Sequence, residues 1–279
     1  MLGNPSAEIM HNVRIALKED IGSGDATANL INSQSRGSAR ILSREHAILC
    51  GVDWAQACFE TIDPGCKVHW KATDGDEISP DSVFCQVDGP LRAILTAERT
   101  AINFLQTLSG TATCTRQFVN AVKGTGAEIF DTRKTLPGLR MAQKHAVKVG
   151  GGNNQRMGLY DGILIKENHI LAAGSIRAAL SQASGANLPV QIEVENLTQM
   201  EEALKWGAHL ILLDNFTPNT LCEAVRQNQH RAILEASGGI TLENVREMAE
   251  TGVDRISIGH LTKDVHAIDL SMLLDTVND

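Results

Sequence analysis

The chain has 279 residues, enough for one large domain or two modest ones and for a substantial buried core. Apolar content of 43% and charged content of 21% are globular values, and a net charge of -8 argues against a general DNA- or RNA-binding role. No run approaches the ~20 apolar residues of a membrane helix, and the opening MLGNPSAEIMHNVRIALKED lacks the basic start and apolar core of a secretion signal, so no membrane partner and a cytoplasmic setting are expected.

In chain order, residues 6 to 20 fit a helix with Ile9, Val13, Ala16 and Leu17 on one face. GSARILSR and EHAILCG, within 37 to 51, are short strand-like runs. VDWAQACFETI (52 to 62) suits a helix, CKVHWKA (66 to 72) a strand and SVFCQVDG (82 to 89) another strand. A helix follows over 91 to 108, with a break or a tight packing point at Ser109-Gly110. From there six β-rich runs alternate with helical segments: AEIFDT, GILIKEN, VQIEVEN, HLILLDN, RAILEAS and RISIG. The helices are expected over 137 to 148, 175 to 184, 197 to 206, 217 to 228 and 241 to 251. That alternation predicts βαβ units and a parallel sheet, either an incomplete α/β barrel or an open doubly wound sheet. No GxGxxG follows a strand, which weakens a dinucleotide-binding reading. The six cysteines (50, 58, 66, 85, 114 and 222) form no CxxC pair and no zinc spacing, so reduced, buried thiols are expected.

The strand ends favour the barrel. They carry Asp131, Lys166, Glu193, Asp214, Ser237 and Gly259, and polar groups at the carboxyl ends of parallel strands converge where α/β barrels place their sites. Residues 132 to 166 hold seven of the chain's twenty-five Lys and Arg residues and one acid, Asp161, which points to a local site for a small anion. Arg133, Lys134, Arg156 and Lys166 are expected on that face. Arg suits carboxylates through paired hydrogen bonds, and Lys supplies a point charge. Arg140, Lys144 and Lys148 fall four apart on a helix, where an exposed stripe is the ordinary reading. Glu193 and Asp214 could hold Mg²⁺ or sugar hydroxyls, or pair with the cations opposite. Ser237-Gly238-Gly239 and the turn at Gly259 follow the last two strands, where backbone N–H groups can grip a phosphate. These residues alone leave open a Schiff-base aldolase or decarboxylase using Lys166, and a non-catalytic phosphosugar-binding protein.

The stretches EDIGSGDAT (19 to 27), ERTAINFLQTLSGTAT (98 to 113), DTRKTLPGLR (131 to 140), LIKENH (164 to 169), EVEN (193 to 196), LLDNF (212 to 216) and ETGVDRISIGHLT (250 to 262) resemble the quinolinate phosphoribosyltransferase family, end to end. The resemblance implies an α/β fold: an N-terminal α/β sandwich domain, residues 1–109 joined by 264–279, and an incomplete α/β barrel over 110–263. It implies transfer of phosphoribosyl from 5-phosphoribosyl 1-pyrophosphate to quinolinate with decarboxylation, giving nicotinate mononucleotide, pyrophosphate and CO2, with Mg²⁺ as cofactor. It also implies a homodimer or higher oligomer in which Arg99 reaches the partner's site. By the same resemblance Arg133, Arg156 and Lys166 surround the quinolinate carboxylates, with Thr132 and Lys134 beside the anionic groups. Lys134, Lys166, Glu193 and Asp214 are the expected catalytic set, and Glu193 and Asp214 lie near ribose and metal. Ser237, Gly238, Gly239, Ile258, Gly259 and His260 form the 5-phosphate grip. Many relatives have His where this chain has Gln155, which can hydrogen-bond but cannot carry a proton charge. A nicotinate-using or molybdenum-associated relative of the same fold is the neighbouring alternative. Nicotinate has one carboxylate, so the excess of cations favours the diacid.

Overall fold

The computed structural model describes residues 5–278. In chain order the elements are α1 (Pro5–Ile21), β1 (Arg36–Ser43), β2 (Ala47–Ile48), α2 (Val52–Ile62), β3 (Lys67–Trp70), β4 (Glu77–Ile78), β5 (Val83–Pro90), α3 (Leu91–Ala121), β6 (Glu128–Phe130), α4 (Arg140–Val149), β7 (Ile163–Ile165), α5 (Glu167–Ala173), α6 (Ile176–Ala183), β8 (Val190–Val194), α7 (Leu197–Lys205), β9 (Leu210–Asp214), α8 (Pro218–Asn228), β10 (Ile233–Ser237), α9 (Val245–Glu250), β11 (Arg255–Ser257), α10 (His260–Lys263) and β12 (Leu270–Asn278). They form two compact units. The first holds the chain up to Cys114, Leu136–Gly150 and the chain from Val265. The second holds Thr115–Thr135 and Gly151–Asp264.

The first unit is built on an antiparallel sheet in the order β12-β1-β5-β3, with β2 and β4 paired separately. Val13 and Leu17 of α1 are buried in its core, with Ile9 and Ala16 packed against it, as the three-to-four-residue spacing requires. Trp54, Cys58 and Phe59 of α2 and Ala142 and Ala146 of α4 enter the same core. The segment containing α4 therefore belongs to this unit, although chain order places it inside the stretch expected to form the barrel.

Of the two expectations for Ser109-Gly110, a break or a tight packing point, the structure shows the second: α3 runs unbroken for 31 residues. Gly110 is a point of close approach. A Cβ there would lie 2.1 Å from the His266 carbonyl oxygen, so only glycine lets the chain pass.

The second unit is a six-stranded parallel sheet in the order β6-β11-β10-β9-β8-β7. All six strands expected from the sequence are present. Among the described residues β6 and β7 do not pair with each other, so the sheet stays open between its first and last strands. Within this unit helices follow β7, β8, β9, β10 and β11, as βαβ units require, whereas the helix after β6, α4, belongs to the first unit. Several begin at side-chain caps: Ser175 accepts from the Ala178 N–H, Asn196 from Gln199 and Thr217 from Thr220. The short α5 directly after β7 was not anticipated, because its seven residues offer no amphipathic period long enough to read.

Candidate active site

Strand register places the candidate residues in layers on one face of the parallel sheet. Ser237 pairs with Asp214 across β10 and β9, and with Ser257 across β10 and β11. Glu193 pairs with Leu212, two residues before Asp214, so both acids share a face. Ile165 pairs with Ile192, which sets Lys166 level with Glu193. The Lys166 ammonium donates to both Glu193 oxygens, at 3.0 and 2.8 Å. Its backbone N–H donates to His169 Nδ1 at 3.0 Å, fixing the turn into α5.

One layer deeper on that face lies a polar cluster. Glu235 is fully buried, and its carboxylate accepts from Gln191 Nε2 at 3.0 Å and from Gln155 Nε2. Burial pushes the Glu235 carboxyl up, against the pull of the amide donors and of Arg255. Arg255, level with Glu235 on β11, lies over the Phe130 ring at 4.7 Å. Sequence reasoning missed Glu235 and Gln191. The available signal was period two: each sits two residues before a site residue on the same strand, and so on the same face.

The basic stretch meets this cluster through the loop after α4. The Gln155 N–H donates to the buried Asp131 carboxylate at 2.9 Å, and its side chain reaches Glu235. The Arg156 guanidinium donates to the Gly162 carbonyl at 3.0 Å. Burial lowers its pKa, and the positive charge of Arg133 lowers it further, while Asp161 opposes both. Two arginines near enough to repel each other, one partly desolvated, make a place where an anion is stabilising. Asp161 closes the loop by accepting from the Met157 and Gly158 N–H groups at 2.7 and 2.9 Å.

The glycine turns are built for close backbone approach. Gly238 has φ +96°, and a Cβ there would lie 2.1 Å from Asn215 Oδ1. Asn215, itself at φ +57°, donates its backbone N–H to the Ser237 carbonyl and its side-chain amide to Asp214 Oδ2, each at 2.8 Å. Gly239 has φ +62° with open space where a Cβ would stand. At the next strand end, a Cβ on Gly259 would lie 3.0 Å from Lys134 Cδ, so glycine lets the lysine lie across the turn. Thr132 Oγ1 accepts the Lys134 N–H at 3.1 Å, and Thr262 Oγ1 donates to the Lys134 carbonyl at 2.7 Å. The buried Ile258 donates its N–H to the Phe130 carbonyl. His260 is half exposed, with Nδ1 3.0 Å from Asp264 and its ring edge-on to Phe118.

Three further expectations concern the first unit and the cysteines. Arg99 is exposed on α3 in the first unit. Lys144 is not part of an exposed stripe: it is completely buried on α4, whereas Lys148 is exposed. Four-residue spacing groups side chains on one helix flank but does not say whether that flank meets water. Of the cysteines, Cys50, Cys58, Cys66 and Cys85 are buried, but Cys114 is half-buried and Cys222 exposed, because Cys222 lies on the outer flank of α8.

A parallel α/β sheet open between β6 and β7, with cations, acids and glycine turns at the carboxyl ends of its strands, defines an incomplete α/β barrel whose strand ends suit anionic groups. Residues 25–109 match the family model "Quinolinate phosphoribosyl transferase, N-terminal domain", and residues 111–273 match its C-terminal domain. The chain therefore belongs to the quinolinate phosphoribosyltransferase family. It is 40% identical over 264 residues to the probable nicotinate-nucleotide pyrophosphorylase (carboxylating) of Bacillus subtilis, covering 94% of this chain and 91% of that one. It is also 40% identical to the nicotinate-nucleotide pyrophosphorylase (carboxylating) of Mycobacterium leprae, over 93% of this chain and 95% of that one. The solved nicotinate-nucleotide pyrophosphorylase of Francisella tularensis superposes with a TM-score of 0.95 at 40% identity, covering 98% of each chain.

Proposed function

We propose that the chain transfers the phosphoribosyl group of 5-phosphoribosyl 1-pyrophosphate to quinolinate, releasing pyrophosphate and CO2 and leaving nicotinate mononucleotide for NAD biosynthesis, in the cytoplasm. Family membership supports the reaction. The observation that carries the substrate assignment is the part-buried Arg156 standing within range of the positive charge of Arg133, a pairing that suits a dianionic pyridine acid.

In this reading Arg133 and Arg156 clamp the two carboxylates and aim the pyridine nitrogen at the anomeric carbon. Lys166 is held by Glu193 at the same mouth. Asp214 and Glu193 face the ribose, where positive charge develops as the bond to pyrophosphate breaks and the bond to nitrogen forms. Lys134, lying over Gly259, meets the departing anion. The turns at Gly238, Gly239 and Gly259, with Ser237, Ile258, His260 and Thr132 around them, grip the 5-phosphate. The carbon–carbon bond to the 2-carboxylate then breaks into the cationic ring, and the carbon left behind takes up a proton. No side chain is needed as a nucleophile, so positioning and electrostatics supply the rate. Gln155, tied to Glu235, serves by hydrogen bonding alone.

Glu193 and Asp214 suit Mg²⁺ as a partial ligand set. Glu193 already engages Lys166 and Asp214 accepts from Asn215, so two engaged acids would hold the ion only together with substrate phosphates, the usual arrangement for Mg²⁺. Its chemistry there is charge neutralisation on pyrophosphate.

A homodimer in which Arg99 completes the partner's site belongs to the same proposal. The experiment is turnover with quinolinate, 5-phosphoribosyl 1-pyrophosphate and Mg²⁺, reading nicotinate mononucleotide and CO2. Loss of both products in Arg133→Ala, with the fold intact, supports the assignment; normal turnover by that variant contradicts it.

A further inference from the structure

Among the described residues, one group of three potential metal ligands stands out, in the first unit and made of none of the candidate site residues: Cys50, Asp74 and His145. One ligand atom from each lies within 4.8 Å of the other two. Sequence spacing hides the group, because its members sit before α2, between β3 and β4, and on α4.

Two of its three ligand–ligand edges lie within about half an ångström of those around a tetrahedral ion. Cys50 Sγ is 3.7 Å from Asp74 Oδ2, and His145 Nε2 is 2.8 Å from the same oxygen. Zinc bonds of ~2.3 Å to sulfur and ~2.1 Å to nitrogen and oxygen set ligand–ligand edges of roughly 3.3–3.6 Å. The sulfur–oxygen edge is already near that length. The nitrogen–oxygen edge would open by about half an ångström, replacing a hydrogen bond with two bonds to metal. His145 can make that shift, since its side chain is 41% exposed.

The surroundings hold the other two ligands still. Asp74 Oδ1 accepts the Gly51 and Val52 N–H groups at 2.9 and 3.1 Å, which leaves Oδ2 for the ion. The Cys50 backbone is held on both sides by Ser109 Oγ, which accepts its N–H at 2.9 Å and donates to its carbonyl at 3.2 Å. The Trp54 ring packs 5.5 Å from the imidazole. Three protein ligands with a solvent-facing edge leave the fourth position for water.

We propose that Cys50, Asp74 and His145 form a binding site for a borderline-soft divalent cation of the zinc type, separate from the Mg²⁺ chemistry of the barrel. Thiolate, imidazole and carboxylate together select Zn²⁺ or Co²⁺ over Mg²⁺. Coordination by Cys50 takes the thiolate form, so its proton passes to solvent.

The test is titration of the full chain with Zn²⁺ and Co²⁺, in a Cys222→Ser background that removes the exposed thiol. The expected result is one tight equivalent per chain and a thiolate-to-cobalt charge-transfer band, which Co²⁺ held by carboxylates alone cannot give. Cys50→Ser should abolish the band. His145→Phe, which keeps a ring against Trp54 and sits at a partly exposed position, should weaken binding by more than about 100-fold, beyond what outer-shell partners cost. If Cys50→Ser fails to fold, the His145 variant decides alone. No band in the parent, a band that survives Cys50→Ser, or unchanged affinity in His145→Phe overturns the proposal and leaves the group as a proton-bridged hydrogen-bond cluster.

Discussion

Lys166 and Glu193 stand level on adjacent strands and share a two-pronged hydrogen bond, with the carboxylate only 12% exposed and the ammonium 43% exposed. The acid is anchored, and the lysine faces the mouth of the sheet. Part-exposed pairs of this kind contribute about 1 kcal/mol or less to stability. Glu193→Gln keeps the size and removes the charge. It should shift unfolding free energy by no more than about 1 kcal/mol while lowering kcat/KM by at least about 100-fold. Denaturant unfolding and steady-state kinetics on one preparation check both numbers. A large stability loss with little kinetic effect would make the pair structural.

Glu235 gives a pH prediction. Its carboxyl is pushed above the ordinary value of 4.5 by burial, so the folded state favours the neutral form. Between 4.5 and the raised folded value the folded protein binds more protons than the unfolded chain, and stability falls as pH rises through that window. Above it the penalty is constant. Glu235→Gln lacks the group, so the stability of the variant minus that of the parent should grow from about pH 4.5 upward and then level off. Thermal unfolding across pH reads this directly; parallel curves would mean the carboxyl is not desolvated as its burial requires.

Gly238 and Gly239 are neighbours with opposite surroundings. Gly238→Ala would drive a Cβ into Asn215 Oδ1, 2.1 Å away, at φ +96°, and so disturb the residue bonded to Asp214. Gly239→Ala meets no atom within 4 Å and pays only for a left-handed backbone, about 1–2 kcal/mol. The expected outcome is a marked rise in KM for 5-phosphoribosyl 1-pyrophosphate in Gly238→Ala and a much smaller one in Gly239→Ala. Equal kinetic effects would contradict the role given to the Asn215 contact.

The register of the candidate residues could be read from the sequence because period-two strands ending in Lys166, Glu193, Asp214 and Ser237 need only parallel pairing to bring those ends level. Glu235 was harder to read: an acid inside a strand looks like an outward-facing residue until its neighbours, Gln155 and Gln191, are known to converge on it. The burial of Lys144 is illegible for a similar reason, since helical spacing fixes a flank but not what covers it. The resemblance implies that 264–279 return to the first unit, but not that they do so as the strand β12. Its partner β1 lies more than 200 residues earlier, and such non-local pairing leaves no local signature. At Gly110 the sequence leaves a break and a tight packing point equally open, and only the close approach of the His266 carbonyl decides for packing.

Sharing of the site between subunits can be checked by mixing. Arg99→Ala and Lys166→Ala should each be inactive alone. Co-assembled, they should regain activity, because a mixed dimer has one site carrying neither change. Verified mixed dimers without recovery would place Arg99 in its own subunit's site or in none.

The most direct measurement is calorimetric titration of quinolinate and of nicotinate into the parent chain and into Arg156→Ala. The account predicts a clear preference for the diacid in the parent, and its loss in the variant as the second carboxylate finds no guanidinium. Equal or tighter binding of nicotinate by the parent, or a preference unchanged in Arg156→Ala, would contradict it.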